Sequence, residues 1–297
     1  MRSNSGWLLS RVATASSRRR RQFGRYIRHE SRPSSPHETQ DRSDIMGGVA
    51  SIYDFPEYYD ILFGWDRSYE AQTYVDVLAR HGVESGCSVL EVAAGTAQVG
   101  IRLARAGLSV TALDSSDAML AYAVSAAERL GEAIGPLVAD MTAFQVVDRF
   151  HAAINPMSSF RLLLGDADAG AHLTCMGQAL LPGGVYLIDM SFGTDGSAAS
   201  DLDEWGMDRD GITVTATTSC VRVVDPTRGA ELILDWHESL RTYTPESFAR
   251  LVDRDDQLSL AGCYRELGMV DDLSRFSGEL DRELPDSGRA LVVLARV

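Results

Sequence analysis

Val89-Leu90-Glu91-Val92-Ala93-Ala94-Gly95-Thr96-Ala97-Gln98 is an apolar run that ends in an acid, followed by a turn of small residues and the start of a helix. The helix reads from Gln98 to Ala106, with Val99, Leu103 and Ala106 on one face and Arg102 and Arg105 on the other. Small residues let a ligand lie close to the backbone. The first turn of a helix offers unpaired N–H groups to a carboxylate or phosphate. Gly95-x-Ala97-x-x-Gly100 also fits the permissive dinucleotide fingerprint, so the turn alone leaves a nicotinamide-dependent oxidoreductase open.

The residues on either side narrow that choice. Ser109 to Leu113 reads as a second strand and ends at Asp114, 19 residues after Gly95, where a carboxylate can accept from two ribose hydroxyls. Leu137 to Ala139 reads as a third strand, and Asp140-Met141 follows it. A carboxylate there can accept from an exocyclic amine such as that of adenine. Glu91, ahead of the turn, suits a cationic amino group and would repel a pyrophosphate. Together these acids suit a ligand with an amine, a ribose and an adenine, and no phosphate.

The alternation continues. Asp66 to His81 is expected as a helix, and so is Asp117 to Leu130, capped by Ser116. Phe150 to Asn155 is a fourth strand, Asp166 to Leu181 a helix, and Val185 to Met190 a fifth strand. Strands alternating with helices imply a doubly wound α/β sheet, mostly parallel and covered on both faces. Then the rhythm breaks. Ile212 to Val224 and Ala230 to Leu240 read as two long strands joined by Asp225-Pro226-Thr227-Arg228-Gly229, an antiparallel hairpin folded over the ligand edge. Thr244-Pro245-Glu246 opens a helix, and Ala290 to Val297 reads as a terminal strand.

Composition bounds the function. The chain has 297 residues, 45% of them hydrophobic, which suffices for a core and excludes wholesale disorder. No apolar run approaches the roughly 18 residues of a membrane helix. All 28 basic residues are Arg, so a Schiff-base or P-loop lysine is excluded. Residues 1–45 hold ten Arg against four acids; since the whole chain carries −14, the remainder stands at −20. Such a body repels phosphate backbones and argues against a nucleic-acid partner. The four cysteines are scattered with no metal-ligand spacing, which predicts reduced thiols, no metal and a cytoplasmic protein. Residues 1–45 read as a disordered or non-native N-terminal extension, with Met46 as an alternative start and a transit peptide as another reading.

In the order and spacing of Val89–Ala97, Val110–Leu120, Ala139-Asp140-Met141 and Leu181-Pro182-Gly183-Gly184-Val185, the sequence resembles class I S-adenosylmethionine-dependent methyltransferases. Glu57-Tyr58-Tyr59-Asp60 and Arg241-Thr242-Tyr243-Thr244-Pro245 look like the small-molecule branch of that family. The family usually has Gly at positions 93 and 97; both are Ala here. The resemblance implies a seven-stranded Rossmann-like sheet, six strands parallel and one antiparallel. It implies a cofactor, S-adenosyl-L-methionine, across the ends of the first four strands, and an enzyme that moves its methyl group to O or N of a small molecule.

Residues 46–82 would be an N-terminal helical cap, 83–192 the cofactor-binding core, 193–243 the inserted hairpin and 244–297 the part that completes the sheet. Glu91, Ala93, Gly95, Ala97, Asp114, Ser115, Met119, Asp140, Met141, Asn155 and Tyr58 are the expected cofactor contacts. Tyr59, Ser158 and His237 are the expected groups at the acceptor, with His237 a base if the hairpin forms a lid. Asn155-Pro156-Met157-Ser158-Ser159 lacks the second Pro and the aromatic of the planar-amine motif, so it is not read as one. His151 begins its strand, at the end away from the site, and is expected to be structural. A monomer or homodimer is expected. A module that binds without catalysing is the reading from another class.

Overall fold

The computed structural model describes residues 50–194, 204–217, 219–236, 239–270, 273–276 and 279–297. The expectation for residues 1–45 and the base expected at His237 both lie outside these residues. The main sheet takes the strands β1 (Ser88–Val92), β2 (Ser109–Asp114), β3 (Ile134–Val138), β4 (Phe150–Asn155), β5 (Leu180–Phe192), β10 (Leu258–Val270), β11 (Leu273–Phe276) and β12 (Gly288–Arg296). Their order across the sheet is β11-β10-β12-β5-β4-β1-β2-β3. β1 lies between β4 and β2, parallel to both, and is covered on both faces, which is why it reads as an unbroken apolar run.

β12 runs antiparallel to both β5 and β10, so β10 shares the direction of the first five strands. That makes six strands one way and β12 the other, as the resemblance implies; β11 adds a short antiparallel edge. β3 starts three residues earlier than the sequence reading. Gly135-Pro136 hid its beginning, and Pro136 is tolerated because β3 is an edge strand.

Helices cover both faces. α2 (Ser68–Arg80), α3 (Gln98–Arg105) and α4 (Asp117–Arg129) pack on one, through Tyr74, Leu103 and Leu120 against Val89, Ala152 and Leu187. α5 (Asp166–Ala179) and α6 (Pro245–Val252) pack on the other, through Leu173, Met176 and Phe248 against Leu90, Val92 and Tyr186. Alternation along β1 divides these two cores.

The inserted region differs from the expected hairpin. It is a four-stranded antiparallel sheet, β6 (Trp205–Arg209), β7 (Ile212–Ala216), β8 (Cys220–Asp225) and β9 (Ala230–Asp235), in that order. Ile212 to Val224 is two strands, turned where Thr217 Oγ1 accepts from the Cys220 N–H at 3.2 Å. Apolar and polar residues alternate on both sides of that turn, and Thr217-Thr218-Ser219-Cys220 between them holds no Gly or Pro to mark it. The Pro226–Gly229 turn does join β8 to β9 as expected. This sheet packs on α1 (Pro56–Leu62) around a third core of Ile52, Tyr58, Leu62, Val214, Val221 and Trp236. Among the described residues no helix is long and apolar enough to cross a membrane.

Candidate functional site

The turn after β1 passes through Ala93 (φ 53°), Gly95 (φ 52°) and Ala97 (φ 51°), all left-handed. For an L-residue that region costs about 1–2 kcal/mol, so the two alanines hold a strained turn. Asp114 fixes it. One carboxylate oxygen accepts from the Gly95 N–H at 2.7 Å and the other from the Ser116 N–H at 2.9 Å. The Ser116 hydroxyl in turn accepts from Met119 N–H at 3.2 Å and caps α4. Ser115 is exposed beside this carboxylate, and Met119 is buried beneath it.

Beyond β3, Asp140 is exposed, and one of its oxygens accepts from Thr142 N–H and Thr142 Oγ1, both at 2.7 Å. The backbone bond from Thr142 holds its carboxyl below the usual carboxylate range. The Met141 carbonyl lies 2.9 Å from His172 Nδ1, and His172 Nε2 lies 2.8 Å from the Tyr186 hydroxyl. A carbonyl can only accept, so Nδ1 carries the proton and Nε2 accepts from Tyr186. Burial pushes the His172 pKa down to about 4, and the neutral ring is a strut under the Met141 loop.

Three expected cofactor contacts turn away from this mouth. Glu91 is 1% exposed and points from β1 into the core under α3, where it accepts from the Gly100 N–H at 3.0 Å. A side chain one residue short of a strand's end faces the sheet side, not the edge, so Glu91 positions α3 instead of reaching a ligand. A Cβ on Gly100 would lie 2.1 Å from its carboxylate, which explains the glycine inside this helix. Burial raises the Glu91 pKa to about 8. Asn155 is buried and bonded inside the fold, donating to the Val92 carbonyl at 3.2 Å and accepting from Phe160 N–H at 2.7 Å. Tyr58 is buried under the antiparallel sheet, donating to Asp225 at 2.8 Å.

Tyr59, on the next position of α1, does face the turn. A Cβ on Gly95 would lie 3.5–3.7 Å from its ring and hydroxyl. Asp60 then ties α1 down. It accepts from Gln98 at the start of α3, from Tyr122 on α4 at 3.1 Å, and from Arg209 on β6 at 2.6 Å. Arg228–Glu57 at 2.9 Å adds a more exposed link.

On the far side of the mouth, the loop after β4 carries two successive left-handed residues, Met157 (φ 59°) and Ser158 (φ 56°). Ser158 is half-buried there. Beside them Arg67, 3% exposed, donates to Glu70 at 2.7 Å, puts Nη2 2.9 Å from Met157 Sδ and lies 4.0 Å over the Trp65 ring. Arg289 grips buried Asp189 with two bonds of 2.8 and 2.6 Å and approaches Glu70 at 3.6 Å. His151, at the opposite end of β4, is held by Ser88 at 2.9 and 3.1 Å.

A strained turn, a carboxylate at the end of β2 that clasps it, and a second carboxylate past β3 occupy the edge of a β3-β2-β1-β4-β5 parallel sheet. Residues 89–184 match the model of the family described as a methyltransferase domain. The chain is similar to a glycine/sarcosine N-methyltransferase of Aphanothece halophytica, 30% identical over 142 residues, which is 46% of this chain and 52% of the relative. The chain spans about half the length of the curated relatives it matches.

Its fold is that of an S-adenosylmethionine-dependent methyltransferase from Clostridium acetobutylicum, with TM-score 0.63, 15% identity, and coverage of 82% of this chain and 98% of that one. The sugar N-methyltransferase KedS8 from Streptoalloteichus sp. gives TM-score 0.57 at 21% identity, covering 88% and 99%.

Around this strained turn and α1, sequence reasoning passed over Asp60, Gln98, Arg67, Trp205 and Arg209. Asp60 stood in a quoted motif without a role. Its partners lie 38, 62 and 149 positions away, and a single sequence gives no sign of such pairings. Arg67 carried one usable signal: it is spaced three residues from Glu70 within a helical stretch.

Proposed function

We propose that this chain transfers the methyl group of S-adenosylmethionine to N or O of a small-molecule acceptor. The observation that carries the reading is Asp114, held by the Gly95 and Ser116 N–H groups at the joined ends of β1 and β2. A carboxylate fixed there accepts from vicinal ribose hydroxyls. Asp140, kept ionised by Thr142, accepts from the adenine amine. Ala93, Gly95 and Ala97 bring backbone close to the methionine moiety, with Ser115, Met119 and Met141 around the nucleoside. When bound, the cofactor supplies an electrophilic methyl on a cationic sulfur.

The protein's own part is alignment and exclusion of water. Tyr59 closes over the Gly95 turn and offers its ring face and hydroxyl to the cation. Ser158, fixed in a left-handed conformation past β4, orients the acceptor. His237, next in sequence to Trp236, is the base we assign if the acceptor must lose a proton. Residues 46–82 and 193–243 then form the acceptor side, and 83–192 with 244–297 the cofactor side. The acidic body and unpaired thiols support a cytoplasmic monomer or homodimer with no nucleic-acid partner.

The test is calorimetric titration of the full chain with S-adenosylmethionine, S-adenosylhomocysteine and NAD in parallel. Binding of the first two and not the third is expected. Binding of NAD alone would make Gly95-x-Ala97-x-x-Gly100 a dinucleotide loop and overturn the reading.

A further inference from the structure

The loop after β4 closes in a short turn of helix, Ser159–Leu162, and Arg161 stands in it. Its backbone is tied to the mouth, where Arg161 N–H donates to the Ser158 carbonyl at 2.9 Å. Its side chain is tied to the segment that follows the antiparallel sheet. Nε donates to the Arg241 carbonyl at 2.8 Å, and Arg241 N–H donates back to the Arg161 carbonyl at 2.8 Å. Two residues on, Tyr243 bridges to Phe192 at the end of β5. Arg161 is thus held between the ends of β4 and β5, with one edge of its guanidinium fixed.

The other edge is uncommitted. Among the described residues, neither Nη makes a hydrogen bond or an ion pair. Arg161 is half-buried, yet both Nη atoms keep accessible surface. Burial lowers its pKa, so the cation has given up water that no protein group replaces. Asp189 is the charge that acts on it, and both oxygens of Asp189 already accept from Arg289, at 2.8 and 2.6 Å. Arg241 brings no spare acid, because its partner Asp166 is shared with Arg254, at 2.6 and 3.0 Å.

A row of charges ends at Arg161. Arg67 meets Glu70 at 2.7 Å, Glu70 meets Arg289 at 3.6 Å, and Arg289 meets Asp189 at 2.6 Å. Glu91 lies near the row, but with a pKa of about 8 it is mostly protonated at neutral pH and adds little charge. Three guanidiniums therefore stand against two carboxylates, and the missing charge is a single one. A carboxylate supplies it, and its two oxygens match the two free Nη donors. A phosphate group would bring nearly two charges. The chain carries −14, which opposes anions at large; a carboxylate carried together with an ammonium has no net charge to be repelled.

We infer that Arg161 anchors a carboxylate of the methyl acceptor, and that the acceptor is an amine bearing that carboxylate, an amino acid or a short derivative of one. The inference rests on the methyltransferase reading for the place of the methyl, beside Ser158 at the end of β4.

The experiment uses the full chain. S-adenosylhomocysteine affinity is measured by calorimetry, and acceptor binding by saturation-transfer NMR in its presence. The probes are glycine, alanine and phenylalanine, each paired with the amine left when its carboxylate is removed: methylamine, ethylamine and 2-phenylethylamine. At least one amino acid is expected to bind about tenfold or more tightly than its amine, the scale of a charge-assisted bond. Arg161→Gln should erase that preference. Arg161→Lys keeps the charge without the fork and should retain part of it. Both variants lose the Nε bond to Arg241, so a purely structural role would move them alike. Neither should change S-adenosylhomocysteine affinity.

Amines that bind as well as their amino acids, or a preference that survives Arg161→Gln, would overturn the anchor and leave the methyl-transfer reading standing. So would equal losses in the Gln and Lys variants, or no amino-acid binding while S-adenosylhomocysteine binds. A carboxylate preference erased by Arg161→Gln in a protein without S-adenosylhomocysteine affinity would keep the anchor and sink the methyl-transfer reading.

Discussion

Around Gly95 the site is held by short-range bonds. Asp114 reaches a backbone N–H 19 residues back and another two residues on, and Glu91 reaches one nine residues on. Around Asp60 it is held by side chains from distant parts of the chain: Gln98, Tyr122 and Arg209, with Tyr58 and Glu57 reaching 167 and 171 positions to Asp225 and Arg228. The first side is one βαβ unit whose geometry follows from its own local sequence. The second is an assembly of α1 and the antiparallel sheet, with a core of its own. On the proposed reading the cofactor side is thus built by secondary structure, and the acceptor side by docking. Sequence changes can then remodel the second without disturbing the first.

The largest effect that would sharpen this contrast is on the cofactor side. Glu91 has a folded pKa of about 8 against an ordinary 4.5, raised by burial. The folded chain keeps a proton that the unfolded chain releases. The stability this contributes is complete below about pH 4.5 and is lost as pH rises through 8. Glu91→Gln keeps an oxygen for the Gly100 N–H and removes the titration. It should be more stable than the parent by about 3 kcal/mol at pH 9 relative to pH 6, read from urea unfolding at the two pH values. Parallel pH curves for the two proteins would break the account of Glu91.

Next comes the docking side. Asp60→Ala removes charge-assisted bonds to Arg209, Tyr122 and Gln98 at once, and should cost about 2–3 kcal/mol. Its signature is uneven. Hydrogen exchange should quicken in α1 and β6–β9 and stay unchanged in β1, β2 and β4. Uniform quickening would show that the two sides unfold as one.

The smallest effect is the strain in the turn. Ala93→Gly relieves a left-handed alanine at a half-buried position and should stabilise by about 0.5–1 kcal/mol, after the entropic cost of glycine. Ala97→Gly relieves the same strain but removes a fully buried methyl worth about 0.8 kcal/mol, so thermal unfolding should find it near neutral.

The same contrast explains what the sequence disclosed. β4 was legible to the residue, and β1, α3, α4 and β2 nearly so, because period and end signals coincide there. Asp114 and Asp140 were legible as strand-end acids. The direction of Glu91 was not, since the same residue reads as a ligand or as an anchor until Gly100 is seen against it. Asn155 and Tyr58 were likewise placed on the right elements, but their partners, Phe160 and Asp225, decide which way they face. β10 went unread. The turn at Thr217 was missed because Thr217-Thr218-Ser219-Cys220 holds no Gly or Pro to mark it. Ring clusters such as Phe63, Trp65, Trp205 and Trp236 join segments some 140 to 170 residues apart, and no local pattern announces them.

The most direct test of the central claim is the S-adenosylhomocysteine affinity of Asp114→Ala, measured by calorimetry on a variant shown by circular dichroism to be folded. Asp114 clasps the Gly95 turn and faces the ribose on this account, so affinity should fall by about 1–3 kcal/mol, roughly fivefold to 150-fold, while α1 and the antiparallel sheet keep their exchange protection. Unchanged affinity in a folded variant would contradict the assignment of the cofactor to the ends of β1 and β2.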